Sequence, residues 1–436
     1  MDLFNTATDR HRLWEPRTKA LSDRSHSLVD LACEEQLQSR RRRNQQAGKS
    51  ARSSTSERRT VEALVLDVLS HQLSAEHEMP LSIHLGTDWL RGGHKRHMAV
   101  NSGVRERLVD LEATGWLRVT KGNNHGTGRL TTLSPGPRLM WASDQYRVEL
   151  IDIGRDLEAT DEVILRGSKL PSAEYGQLEA RERIRFEEDQ DTARLREELQ
   201  SLNELFASAR LEQRTHRKPP IDLSRRIVQR TFLDGRFDRG GRLGGSAFWL
   251  NLKKDRRRQD LMLDGEPIAE VDLVAALPAI AYGIEGRTMW EDPYSPDELD
   301  GVPRSPLKTA LVVFLWDRYK PKTGRFPQQV YAELPNGVTY ERVYQAFRRH
   351  NEPIAHFLGA EPRGAELMWH ESEIIIDATF RCFDAGFSAL PIHDALVVPA
   401  SKREQAFHAL SDAFIARFKV APMVTQEVFG REGAHA

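Results

Sequence analysis

The segment that most constrains this chain is SALPIHDALVVP, residues 388–399. Apolar residues flank the dipeptide His393-Asp394 on both sides, the pattern of a hairpin with buried strands. A buried hairpin gains nothing from a charged tip, so the fold must keep that tip in water or against a ligand. An ordinary solvated loop is one reading, and a chemical role is the other. Residues 364–429 extend the pattern, reading as helix, strand, tight turn, strand, helix and strand.

Three earlier segments carry compatible chemistry. GEPIAEVDLVAALPAIAYGIEG, residues 265–286, runs from a polar turn into an apolar strand ending at Asp272, then into a helix that tolerates Pro278 in its first turn. An acidic residue at a strand end is placed to hold a metal; capping the next helix is the competing role. RSPLKTALVVFLWDRYK, residues 304–320, puts Arg304, Lys308, Val312 and Trp316 on one helical face. Two cations one turn apart suit a triphosphate, and the aromatic beyond suits a base or sugar slot. A core helix with a basic start is the rival reading, although the helix dipole opposes cations there. RFDRGGRLGGSAFWLNLKKDRRR, residues 236–258, holds a Gly-Gly-Arg turn in which Arg242 suits a phosphate or base edge. Asp272 and Asp394, brought together from separate strands, suit magnesium, which needs hard oxygen ligands and in pairs supports nucleotidyl transfer.

In this order the four segments resemble the palm and fingers of the single-subunit polymerases, closest to family A DNA polymerases and related to the phage-type RNA polymerases. EVDLVAALPAI resembles motif A, the helix of Arg304, Lys308 and Trp316 resembles motif B, IHDALVV resembles motif C, and Gly-Gly-Arg-Leu resembles the arginine motif ahead of the palm. The similarity covers about residues 225–430. It implies an α+β fold: a minimal right-hand palm, an antiparallel sheet with helices, and reduced fingers. It also implies a nucleotidyltransferase acting at a 3′ end with two Mg2+ ions, or Mn2+, a DNA or RNA template, a primer and nucleoside triphosphates. By the same resemblance Asp272 and Asp394 are catalytic metal ligands, Arg304, Lys308, Val312, Trp316 and Leu277 bind the nucleotide, and Arg242 and His393 meet primer or template. Departures are Leu277 where the family's DNA polymerases carry a sugar-excluding Glu, Val312 where they carry an aromatic, and His-Asp-Ala in motif C. A Leu277–Trp316 wall implies deoxynucleotide preference with ribonucleotide leakage.

The amino-terminal half reads differently. Arg40, Arg41, Arg42, Arg43, Lys49, Arg52, Arg58 and Arg59 stand against Glu57 in a Gln/Ser/Gly-rich tract, so residues 1–59 are expected to be a mostly disordered basic arm with one short amphipathic stretch at 28–37. Residues 60–135 resemble a winged helix-turn-helix: helical spacing at Val61, Leu64, Val65, Val68 and Leu69, a helix near 102–113, then a hairpin around a Gly/Asn turn. Arg105 and Arg107 on that helix, with Lys121, His125 and Arg129 on the wing, are the expected nucleic-acid contacts. Residues 136–220 form a helical linker, thumb-like in position, with a stripe at Leu195, Leu199, Leu202 and Phe206, and residues 221–436 form the main domain. Two cysteines far apart disfavour a disulfide framework or cysteine zinc site. The absence of a long apolar window and the charged start imply a cytoplasmic protein without a membrane partner. Alternatives to a DNA polymerase are a DNA-binding replication initiator or regulator with an inactive palm, an RNA polymerase or primase, and a metal-dependent nuclease.

Overall fold

The computed structural model describes residues 12–46, 54–75, 77–83, 85, 98–122, 131–156, 163–168 and 181–429. It is a mixed α+β structure of several small sheets. The first part runs β1 (Arg12–Leu13), β2 (Thr18–Ala20), α1 (Asp23–Gln46), α2 (Thr55–Leu73), β3 (Leu81–Ile83), α3 (Val104–Ala113), β4 (Leu117–Thr120), β5 (Thr131–Pro135), α4 (Pro137–Tyr146) and β6 (Ile153–Arg155). A capping box starts α2: the Ser54 hydroxyl accepts from the Glu57 amide and the Glu57 carboxylate from the Ser54 amide. The α2 residues Val61, Leu64, Val65, Val68 and Leu69 pack with Val104, Leu108 and Leu111 of α3 in one core. The hairpin is present, with Val119 opposite Leu133, inside a sheet ordered β1-β3-β5-β4.

In this first part the fold corrects two expectations. The basic tract is not a disordered arm where it is described: Arg40–Arg43 form the last turns of the long helix α1, whose Leu28, Val29 and Ala32 are fully buried. Cations at a helix C-terminus complement its dipole. Acidic groups from other elements pair with part of the tract, with Arg40 reaching Glu57 at 2.5 Å, Arg43 reaching Asp110 at 2.7 Å and Arg58 reaching Asp30 at 2.5 Å, while Arg41 and Arg42 stay exposed. Lys49 and Arg52 lie outside the described residues. Arg107 is likewise no nucleic-acid contact. It is 1% exposed and pairs with Glu57 at 2.8 Å and Glu106 at 3.0 Å. With Val104, Leu108 and Leu111 it completes an i, i+3, i+4, i+7 set, so the helix turns it inward. Arg105 is exposed and donates to the Leu85 carbonyl at 3.0 Å; Lys121 is exposed at the end of β4. His125 and Arg129 lie outside the described residues.

The second part adds β7 (Val163–Arg166), β8 (Arg183–Ile184), α5 (Gln190–Ser208), β9 (Leu211–Gln213), β10 (Val228–Phe232), β11 (Gly240–Gly245), α6 (Phe248–Asn251), α7 (Lys254–Asp260), β12 (Leu261–Leu263) and β13 (Glu266–Leu273). Leu199, Leu202 and Phe206 of α5 are fully buried, as their spacing requires. Gly-Gly-Arg is a strand rather than a turn. Gly240 and Gly241 have φ of 78° and 72°, and a Cβ on Gly241 would stand 2.9 Å from the Arg230 guanidinium beneath it. The chain finishes with α8 (Ala276–Ile284), α9 (Arg304–Trp316), α10 (Gln328–Glu333), α11 (Tyr340–His350), α12 (Gly364–Asp384), β14 (Leu390–Ile392), β15 (Ala395–Pro399), α13 (Arg403–Phe418) and β16 (Val424–Val428). Strand β13 is central: its start pairs with β12, and its end lies antiparallel between β15 and β16. Ala269, Val271 and Leu273 point into the largest core with α8, α9, α12 and α13; Glu270 and Asp272 face the other way.

A buried charge cluster fastens the two parts. Asp67 on α2 receives Arg12 at 2.5 Å, Arg155 at 3.2 Å and the Glu15 amide at 2.9 Å, and Arg155 also reaches Asp222 at 2.9 Å. Burial pushes the Asp67 carboxyl up, but Arg12 and Arg155 outweigh it and hold its pKa below the ordinary value. Asp67→Ala removes the buried carboxylate that Arg12 and Arg155 share and is expected to cost about 3–5 kcal/mol. Denaturant unfolding checks this, and a loss under about 1 kcal/mol, the scale of a surface pair, contradicts it.

Candidate active site

Strand register creates the site. Asp272 is the penultimate residue of β13, opposite Ala395 of β15 and Thr425 of β16. Ile392 pairs with Ala395, so His393 and Asp394 form a two-residue hairpin loop. His393 has φ 54°, the left-handed conformation that such a loop asks of its first residue and that glycine adopts most cheaply. A histidine kept there is tolerated at a conformational cost. The Leu273 amide donates to the Asp394 carbonyl at 3.1 Å and ties the loop to the end of β13.

The electrostatics show two carboxylates forced into proximity. The Asp272 carboxyl is pushed up to about 8, first by burial and then by the charge of Asp394; Lys308 and Lys254 oppose the rise. Its Oδ1 is buried with no hydrogen-bond partner. Such an orphan acceptor is costly unless something fills it. Glu371 of α12, 1% exposed, stands nearby with its pKa raised by burial, with Arg242 opposing and Asp394 reinforcing the rise. Arg242 donates to Glu371 through Nε at 3.0 Å and Nη2 at 2.5 Å. On the flank of β13, Glu270 is held by Arg257 at 2.9 Å, Arg258 at 3.3 Å and Lys254 at 3.5 Å.

Helix α9 brings the cations. Arg304, in its first turn, forms a bidentate pair with Asp292, at 2.6 and 3.1 Å, which offsets the dipole penalty of a cation there. Its guanidinium lies 4.8 Å from the Tyr294 ring centre, and Lys308 Nζ lies 5.9 Å from the same ring. Burial, then the Asp394 charge, raises the Tyr294 phenol above its ordinary value. The structure therefore gathers Asp272, Asp394, His393, Lys308, Arg304 and Arg242 around one locus. Other expected nucleotide contacts have packing roles: Val312 is buried, Leu277 is 8% exposed within the largest core, and Trp316 lies against Gly364, which has no room for a Cβ beneath the indole, and against Leu233, Ala365 and Met368.

Sequence reading missed Glu371, Tyr294 and Asp292. Glu371 was detectable, because it sits on the buried stripe of α12 with Leu367, Ile374, Ile375 and Ala378, where a carboxylate needs a partner. Tyr294 and Asp292 lie in a loop without periodicity, and only the fold delivers them.

Among the described residues no group of three or more His, Cys, Asp or Glu side chains is arranged to hold a metal ion. The pair Asp272 and Asp394 nevertheless fits a hard divalent ion, because magnesium commonly takes one or two carboxylates and completes its shell with water and substrate phosphate. The orphan Oδ1 of Asp272 is an acceptor of that kind.

No protein-family model matches the sequence, and no curated protein matches it. A solved structure, the POL domain of Pol1 from M. smegmatis in complex with DNA primer-template and dNTP, is similar over 94% of this chain and 66% of that chain, with 11% sequence identity and a TM-score of 0.29. The chain thus spans just under two thirds of that domain's length, and a likeness this loose says nothing about what the chain does. No helix among the described residues is long and apolar enough to cross a membrane.

The raised Asp272 pKa fixes a sign. Between the ordinary 3.8 and about 8 the folded chain holds a proton that the unfolded chain releases, so this group makes stability fall as pH rises through that interval. Asp272→Asn is expected to melt higher than wild type near the upper end of the window in metal-free buffer, with the difference shrinking toward its lower end. Parallel pH curves for the two proteins would show that Asp272 is not buried against a second charge.

Proposed function

We propose that this protein is a template-directed nucleotidyltransferase, a DNA polymerase-like enzyme that adds nucleotides to a 3′ end using two magnesium or manganese ions. One observation carries the reading: Asp272 at the end of β13 feels the charge of Asp394 from the neighbouring β14–β15 loop and that of Lys308 from α9, and its Oδ1 is a buried orphan acceptor. When bound, the ions supply charge neutralisation and activation of the attacking hydroxyl. The chain's own groups do the rest. Asp272 and Asp394 fix the ligand geometry, and Lys308 and Arg304 meet the triphosphate, whose charge is most of what a protein must handle in this chemistry. His393, on its constrained loop, meets the primer end, and Arg242, braced by Glu371, meets the nucleic-acid backbone. Arg105, Lys121 and the exposed Arg41 and Arg42 of α1 give the amino-terminal module a basic surface for DNA.

A second reading, a DNA-binding initiator with an inert palm, draws on the internal pairing of Arg304 with Asp292 and of Arg242 with Glu371. One experiment separates the two. In a primer-extension panel crossing DNA and RNA templates with deoxy- and ribonucleotides, the wild type should extend on at least one combination. Asp394→Ala should lower that rate by at least about 100-fold, the scale of losing one preorganised charge-stabilising group. No extension on any combination, together with no magnesium-dependent rise in melting temperature with nucleotide, supports the inert palm.

The raised Asp272 pKa adds a signature of metal binding. A metal ligand must be ionised, so magnesium should bind more tightly as pH rises toward about 8 and should release protons to the buffer. Calorimetry in buffers of different ionisation enthalpy reads this directly. Asp272→Asn should lose both the binding and the proton release.

A further inference from the structure

Tyr294 is 2% exposed, and the hydrogen bond it makes to the described residues runs from its backbone amide to Asp292, leaving the phenol hydroxyl for another acceptor. Its surroundings are also unusual. Arg304 and Lys308 lie over the ring at 4.8 and 5.9 Å, and the charges of Asp394 and Glu371 bear on the hydroxyl.

The loop that carries Tyr294 is braced from several sides. His350 Nε2 meets the Asp292 carbonyl at 2.8 Å, and Asn351 donates to the Pro293 carbonyl at 3.0 Å. Asp292 accepts from the Tyr294 amide at 3.2 Å and from the Ser295 hydroxyl at 2.9 Å while it pairs with Arg304. The ring is thus a fixed floor under two cations, and its phenol is close enough to Asp394 to feel that charge. A neutral donor beside two cations and near a carboxylate pair is suited to an acceptor oxygen that carries negative charge.

We infer that Tyr294 is a substrate-contacting residue of this site, its hydroxyl donating to a phosphate oxygen of the bound nucleoside triphosphate while its ring holds Arg304 and Lys308 in position. This rests on the nucleotidyltransferase reading and deepens it. It also moves the aromatic contact with substrate from Trp316, which is committed to packing on Gly364, to a loop residue.

The test uses the full chain, with equilibrium binding of a deoxynucleoside triphosphate and, separately, of inorganic tripolyphosphate in magnesium, alongside KM and kcat for extension. Tyr294→Phe keeps the ring and is expected to weaken both ligands by roughly 3- to 10-fold, the loss of one hydrogen bond, and to raise KM. Tyr294→Leu also removes the cation–π floor and is expected to weaken them by roughly 10- to 50-fold. If it fails to fold, the Phe variant decides. Weakening of the nucleotide alone would overturn the phosphate assignment in favour of a sugar or base contact. Unchanged binding in Tyr294→Phe, with both ligands weakened in Arg304→Ala, would overturn the inference and leave the nucleotidyltransferase reading standing. A wild type that binds neither ligand and extends no primer would overturn that reading and this one with it.

Discussion

Everything at the site depends on the antiparallel pairing of β13 with β15, a five-residue register from Ile268–Pro399 to Asp272–Ala395. Side chains alternate along a strand, so a slip of one residue would send Asp272 into the apolar core and Val271 or Leu273 out of it. Two features resist that slip. Ala269, Val271 and Leu273 are all buried on one face, and the tight loop at His393-Asp394 fixes where β15 begins. The hydrophobic pattern that stabilises the sheet therefore also positions the carboxylates.

That arrangement has an electrostatic cost, visible in the raised Asp272 carboxyl and the orphan Oδ1. Lys308 and Lys254 offset part of it, one from α9 and one from the short helix α7 before β12. Glu371 would add a further buried negative charge were it not paired with Arg242. Incomplete compensation of one buried carboxylate, with a lysine just beyond it, is the electrostatic feature on which the proposed function rests.

The amino-terminal part follows the opposite logic, because its charges are largely spent on itself. Arg40, Arg43, Arg58 and Arg107 all find acidic partners, and the Arg12–Asp67–Arg155–Asp222 cluster is buried outright. Half of the basic residues of a tract that counts as strongly basic in one dimension are paired with carboxylates in three. Among the described residues Arg41, Arg42 and Lys121 stay exposed on this part.

The sequence by itself determined the elements whose signal is local. The 364–429 order, the helix bearing Arg304, Lys308, Val312 and Trp316, the strand ending at Asp272, the α5 stripe and the hairpin at Trp116 all follow from periodicity and turn chemistry, which neighbouring residues set among themselves. Which charges are free is not a local property. Arg107 was turned inward by a helical phase shared with Val104 and Leu111, Arg40 and Arg43 were neutralised by Glu57 and Asp110, and Trp316 was captured by a glycine 48 positions away. Only the tertiary structure decided these, together with Tyr294 and Glu371 at the carboxylate pair. Burial and Coulomb energy depend on distances between residues remote in sequence, and the fold alone sets those distances.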